Sequence, residues 1–305
     1  MGVRIDEQGL WLDETLLPLI SGSVQYWRLK AESWPRILDR VCELGLGLIE
    51  TYAPWSVHEL ARGRFDFSGD RDLGRFLDLA HERGLKVWLR PGPHINAELT
   101  GFGFPERILL DPEIQARGPG GQPVWIPAPP RMFPAPSLAS EKLYAEFGVY
   151  LRALAELLVP RQHPAGPLVL LQADNECHFF FRSGAYDQVY SDAARAAYRR
   201  FLRLRHGSLQ ALQQAHQQAY TDFAHVPLPT EFRVDALPLL PRQLDWAEFR
   251  ESLLRRAVFR VAAMLREVGL RLPISHNLPP GPPSSPLDLS ALERGLDLVG
   301  LDFYY

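Results

Sequence analysis

Short apolar runs without helical period alternate along this chain with longer stretches whose apolar residues recur every three or four positions. The first kind predicts strands buried on both faces, the second amphipathic helices. The clearest run begins at Leu168 and passes into Gln172-Ala173-Asp174-Asn175-Glu176-Cys177. Similar runs predict strands at residues 16–24, 46–51, 85–89, 272–276 and 296–303. A hairpin is expected over residues 4–13, turning at Gln8-Gly9. Ser33-Trp34-Pro35 opens a helix that carries Ile37, Leu38, Val41 and Leu44 at helical spacing and closes at Gly45. Further helices are expected at 70–83, 140–158, 191–205, 209–220, 246–268 and 289–294. Stretches 101–137, 226–241 and 278–286 are rich in proline and read as irregular.

Strand followed by helix, repeated six times, predicts a parallel sheet with crossover helices. No glycine-rich phosphate loop follows any strand, which argues against a nucleotide-binding doubly wound sheet. Polar and aromatic residues instead collect just after the strands: Gln25-Tyr26-Trp27, Glu50-Tyr52-Trp55, Asn96 to Glu98, Asn175-Glu176 and Tyr304-Tyr305. A pocket built this way belongs to an α/β (β/α)8 TIM barrel, whose chemistry sits at the carboxyl ends of the strands. Six strand–helix units are present, so residues 1–305 are expected to form one catalytic barrel lacking strands 7 and 8.

Composition narrows the function classes. The chain is 46% hydrophobic and 23% charged, with net charge −3, so a packed core is expected and a basic nucleic-acid footprint is absent. Only three of the 33 basic residues are lysines. The two cysteines, Cys42 and Cys177, exclude a disulfide scaffold and a four-cysteine zinc site. Both are expected as free, buried thiols. The histidines, among them His163, His178, His206, His216 and His225, show no ligand spacing, and no metal is implied. Met1 to Arg4 leads into acidic residues rather than an apolar signal core, and no run reaches transmembrane length. The expectation is a cytoplasmic protein with neither membrane nor nucleic acid as partner; an oligomer is left open.

Glu176, at the end of an apolar strand, is the first candidate for catalysis, because burying a carboxylate is costly unless it is used or paired. Aromatic faces beside carboxylates and amides suit a sugar, and cleaving a glycosidic bond usually takes two carboxyl groups. Simpler readings stand beside these. Glu98 could pair with Arg90, Glu50 with an arginine below the pocket, and Tyr52 and Trp55 could be packing residues. The phenylalanines 179–181 read more readily as a loop anchor than as a sugar platform.

Five separated blocks carry a resemblance: SGSVQYWR from Ser21, ETYAPWSVHE from Glu50, GRFDFSGD from Gly63, RPGPHINAE from Arg90, and QADNE from Gln172. In this order they resemble the family 35 glycoside hydrolases, retaining β-galactosidases; the stretch from Tyr198 to Tyr220 is more similar to family 42 β-galactosidases. The resemblance implies a (β/α)8 barrel, hydrolysis of terminal β-D-galactosides with retention, a small carbohydrate as partner and no cofactor. By position it implies Glu176 as acid/base and Asn175 as the ligand of the sugar 2-hydroxyl. It implies Tyr52, Asn96, Ala97 and Glu98 as substrate-binding residues. The chain departs from the family at Gln25, His94, Asn96, Leu99 and Asp174; the changes at 94, 96 and 99 lie beside the sugar segment and bear on the choice of sugar. No residue matches the nucleophile, a glutamate expected at the end of strand 7 and therefore beyond Tyr305. The alternatives are another retaining β-glycosidase of the same clan, or a carbohydrate-binding relative without catalysis.

Overall fold

The computed structural model describes residues 2–128, 131–180, 184–279 and 287–303. Its elements follow in chain order. A meander of β1 (Val3–Asp6), β2 (Gly9–Leu12) and β3 (Thr15–Leu17) leads to β4 (Ser21–Ser23), α1 (Trp34–Glu43) and β5 (Leu48–Tyr52). Next come α2 (Trp55–His58), the small hairpin β6 (Glu59–Ala61) and β7 (Arg64–Phe65), then α3 (Leu73–Glu82) and β8 (Lys86–Arg90). After α4 (Glu106–Leu109), β9 (Trp125–Ala128) and β10 (Arg131–Pro134), helix α5 (Glu141–Leu158) leads into β11 (Leu168–Gln172). Helices α6 (Asp192–His206), α7 (Leu209–His216) and α8 (Leu240–Glu267) precede β12 (Ile274–Leu278), α9 (Leu289–Glu293) and β13 (Leu298–Leu301).

Strands β4, β5, β8, β11, β12 and β13 pair in that order and are all parallel, the sheet of six consecutive (β/α) units. All five residues of β11 are buried, as its unbroken apolar pattern required. The helices bury the expected faces. In α3 these are Leu73, Phe76, Leu77 and Ala80, each worth roughly 1.5–3 kcal/mol for the larger side chains. Gly84 ends that helix at φ +73, a conformation costly for residues with a Cβ. Ser140 caps α5 by accepting from the Leu143 N–H at 3.3 Å. Ser140→Ala is expected to cost about 1 kcal/mol, read as a lower urea midpoint at unchanged m-value.

Four expectations are corrected. The run at 16–24 is two elements: Pro18 has no N–H to continue a ladder, so β3 closes the meander and β4 alone joins the parallel sheet. Ser33 occupies the cap position of α1 without a side-chain cap bond, because the chain enters through a 3-10 turn at Ala31–Ser33. The irregular stretch 101–137 contains the antiparallel pair β9–β10. Cys42 is exposed, whereas Cys177 is buried.

The meander sits under the sheet. Leu10 and Leu12 pack with Leu48, Val169 and Leu170, with Leu17 and Leu298 alongside, so the amino ends of the strands are covered. The carboxyl ends are left for the pocket. Among the described residues no helix is long and apolar enough to cross a membrane.

Candidate active site

A cavity of about 230 Å³ opens at the carboxyl ends of the strands. Its lining includes Ser23 at the end of β4 and Gln25 after it, Glu50 and Tyr52 of β5, Asn96, Ala97 and Glu98 after β8, Asn175 and Glu176 after β11, and Asp302 after β13. All six residues singled out from the sequence as catalytic or substrate-binding therefore share one wall. Tyr26 and Trp55 do not join them: both are buried in the core, Tyr26 against Trp34 and Phe76, Trp55 stacked on Tyr150. Phe179 and Phe180 are buried anchors, as the simpler reading had it; Phe181, Tyr304, Tyr305 and most of the 278–286 loop lie outside the described residues.

The segment 173–177 that carries Glu176 turns sharply. Asp174 and Glu176 have φ of +60 and +42, left-handed values that cost non-glycine residues about 1–2 kcal/mol each. Hydrogen bonds to nearly every backbone group of this segment hold it there. The Ala173 N–H donates to Ser275 O at 2.9 Å and the Asp174 N–H to Gly92 O at 3.2 Å. The Glu176 N–H donates to Asn277 Oδ1 at 3.0 Å. His276 bridges the two ends: its Nδ1–H donates to Ala173 O at 2.8 Å and its Nε2 accepts the Cys177 N–H at 3.3 Å. Burial lowers the His276 pKa to about 4, so this neutral tautomer is the one the site uses. His94, held to about 3 mainly by burial, donates Nδ1–H to Asn175 O at 2.7 Å.

Amide orientations follow from one unambiguous donor. The Glu176 N–H can only donate, so the Asn277 atom it meets is Oδ1 and the other is the NH2. That NH2 donates to Asn175 Oδ1 at 3.2 Å and to Asp302 Oδ2 at 2.7 Å. Gln172 Nε2 donates to Asn277 Oδ1 at 2.7 Å, and the Tyr52 hydroxyl donates to Asn175 Oδ1 at 3.1 Å. With its oxygen engaged by both Asn277 and Tyr52, Asn175 presents its NH2 as the remaining donor on the pocket wall.

Charges around the rim are mostly paired. Glu50 and Arg90 form an ion pair with side chains only 19% and 11% exposed. Arg90 also donates to the Tyr52 hydroxyl at 3.0 Å. Burial raises the Tyr52 pKa, with Arg90 opposing, so the phenol stays protonated. Thus the partner of Arg90 is Glu50 rather than Glu98. Glu98 stands at the rim, 83% exposed, 3.3 Å from Arg28. Arg28 also donates to Ala97 O. Asn96, Ala97 and Glu98 are consecutive left-handed residues at φ +50, +49 and +50, a strained turn of the kind that gathers at binding sites. Asp174 is buried beneath the pocket. It accepts the His94 N–H at 2.9 Å, and burial pushes its pKa up to about 7 against that bond.

Sequence reasoning missed Asn277 and Asp302 as site-builders, and met His94 only as a departure from the family pattern. Asn277 lies inside β12, one residue past the expected strand end, and three polar side chains, Ser275, His276 and Asn277, in a strand buried throughout were the available signal.

Comparison with known proteins agrees with this geometry. Residues 9–119 match Glycosyl hydrolases family 35. Human beta-galactosidase-1-like protein 2 is 31% identical over 188 residues, 61% of this chain and 26% of its own length. Bovine beta-galactosidase is 36% identical over 157 residues, 52% of this chain and 21% of its length. Exo-beta-D-glucosaminidase of Pyrococcus horikoshii is 28% identical over 291 residues, 90% of this chain and 36% of its length. The chain thus spans roughly a fifth to a third of these curated relatives. In the solved structures, beta-galactosidase from Marinomonas ef1 superposes with TM-score 0.72 at 21% identity, covering 93% of this chain and 40% of that one. The chain therefore resembles the family 35 glycosyl hydrolases over residues 9–119, and its six parallel strand–helix units are those of a (β/α)8 barrel.

Proposed function

We propose that this chain is the acid/base-bearing part of a retaining glycoside hydrolase of β-galactosidase type. The observation that carries the reading is the carboxyl end of β11: Glu176 and Asn175 line the pocket on a strained segment fixed by hydrogen bonds. In this reading Glu176 protonates the leaving glycosidic oxygen and then deprotonates water. Asn175 donates its NH2 to the sugar 2-hydroxyl, a bond that strengthens in an oxocarbenium-like transition state. Tyr52 orients Asn175, while Glu98 and the 96–98 turn receive sugar hydroxyls at the rim. The second carboxylate is proposed to be a glutamate encoded after Tyr305 in a longer polypeptide. Among the pocket carboxylates Glu50 is neutralised by Arg90 and Asp302 is held by Asn277. Reading the source gene past the Tyr305 codon tests this: a stop codon there removes the two-carboxylate mechanism.

A second sugar specificity is supported by coverage. The archaeal exo-beta-D-glucosaminidase matches 90% of the chain, against about half for the bovine β-galactosidase. Nitrophenyl β-galactoside, β-glucoside and β-glucosaminide, offered to the full-length enzyme, separate the two. Preference for the glucosaminide overturns the galactosidase reading. Tyr52→Phe, which removes the hydroxyl from Asn175 and Arg90, is expected to lower kcat/KM about tenfold, corresponding to about 1.4 kcal/mol. An unchanged kcat/KM dismisses Tyr52 as the residue that orients Asn175.

A further inference from the structure

Away from the pocket, the helical layer brings together three side chains that the glycosidase reading does not use. His206 ends α6, His216 ends α7, and Asp245 lies in the second turn of α8. His206 Nε2 is 2.7 Å and His216 Nε2 2.8 Å from the same oxygen, Asp245 Oδ2. The side chains of His216 and Asp245 are 0% and 3% exposed, and that of His206 is 13% exposed. Sequence spacing hides the cluster, since the ligands come from three separate helices.

Both ring nitrogens of His216 are engaged. Its Nδ1 lies 2.9 Å from the Tyr220 hydroxyl, which is also 3.1 Å from Gln218 Oε1. Its Nε2 faces a carboxylate oxygen, an arrangement in which a proton or a metal ion can sit between nitrogen and oxygen. We propose that His206, His216 and Asp245 form a binding site for a divalent transition metal of zinc type, which clasps α6, α7 and α8 together.

Donor chemistry and surroundings fit that ion. Two imidazole nitrogens and one carboxylate oxygen form a donor set used for zinc, and the three ligand atoms lie within 4.8 Å of one another. Tetrahedral zinc holds its ligand atoms roughly 3.2–3.4 Å apart, so binding needs the side chains to part by about half an ångström. The outer contacts are those that orient metal ligands: Tyr220 on His216 Nδ1, and Arg205 Nε on Asp245 Oδ1 at 2.6 Å. The Arg205 charge is in turn offset by Glu248. The partly exposed His206 edge gives a fourth ligand, a water, its way in.

The full-length protein, stripped with chelator, is titrated with zinc sulfate by calorimetry, with cobalt(II) as a visible-absorption probe. The expected result is one zinc per chain at micromolar affinity or tighter, a raised melting temperature, and intense tetrahedral cobalt bands. His206→Gln, at the exposed edge, and Asp245→Asn should each weaken zinc binding at least tenfold while circular dichroism stays native. Absence of zinc uptake by the folded protein, or unchanged affinity in folded His206→Gln, overturns the proposal and leaves imidazole hydrogen bonds to Asp245.

Discussion

Glu176→Gln in the full-length enzyme should lower kcat for an unactivated β-galactoside by about 10²–10⁴-fold. Glutamine keeps the size of the side chain, and the bonds holding the segment are made by backbone groups of residues 173–177, so the variant should fold as the parent does. What it loses is the proton for the leaving oxygen. A substrate whose leaving group needs no proton, such as a dinitrophenyl galactoside, should therefore lose much less in its first step. The pH profile of kcat/KM should also lose its alkaline limb, because that limb reports the ionisation of the acid. Parent-like rates on the unactivated substrate would falsify the assignment of Glu176.

Asp174→Asn should change how stability depends on pH. A solvated aspartate in the unfolded chain ionises near 3.8, whereas burial holds Asp174 protonated to about 7 in the folded state. Below pH 3.8 both states are protonated, and the group contributes nothing to the slope. Between 3.8 and about 7 the folded state binds more protons than the unfolded one, so stability falls as pH rises. Above 7 the loss is complete, and the gap corresponds to about 4 kcal/mol. Asparagine keeps an oxygen for the His94 N–H and has no proton to lose. The buried histidines, held neutral in the folded state, make the stability of both proteins rise with pH over roughly pH 4 to 6.5. The unfolding free energy of the variant minus that of the parent, followed by urea denaturation from pH 4 to 8, should therefore grow as pH rises. A difference that stays constant across that range would show that Asp174 is not held protonated in the folded state.

The segment that carries Glu176 was legible because five buried positions in β11 leave a pattern that neither a surface strand nor an amphipathic helix produces. The wall of the pocket was legible through motif resemblance, since Tyr52, Asn96, Ala97, Glu98 and Asn175 stand in separated blocks that periodicity alone cannot connect. Ion pairing was harder. Glu50 and Glu98 are both acidic residues after strands, and only the fold shows that Arg90 reaches Glu50 while Arg28 reaches Glu98. Asn277 was missed because its role depends on β12 lying beside β11, a neighbour relation fixed by the sheet and not by local sequence. The cluster at Asp245 was invisible for a similar reason: its members are joined by helix packing across 39 and 29 residues of chain.

The amino-terminal meander has a consequence for how such an enzyme diversifies. It covers Leu48, Val169, Leu170 and Leu298 at the end of the strands opposite the pocket. Glu50, Tyr52, Asn175 and Glu176 lie farther along the same stretches of chain, at the pocket. The packing of the meander and the lining of the pocket thus lie at opposite ends of the same strands. Substitutions among the apolar contacts of Leu10, Leu12 and Leu17 can change stability without touching the pocket wall.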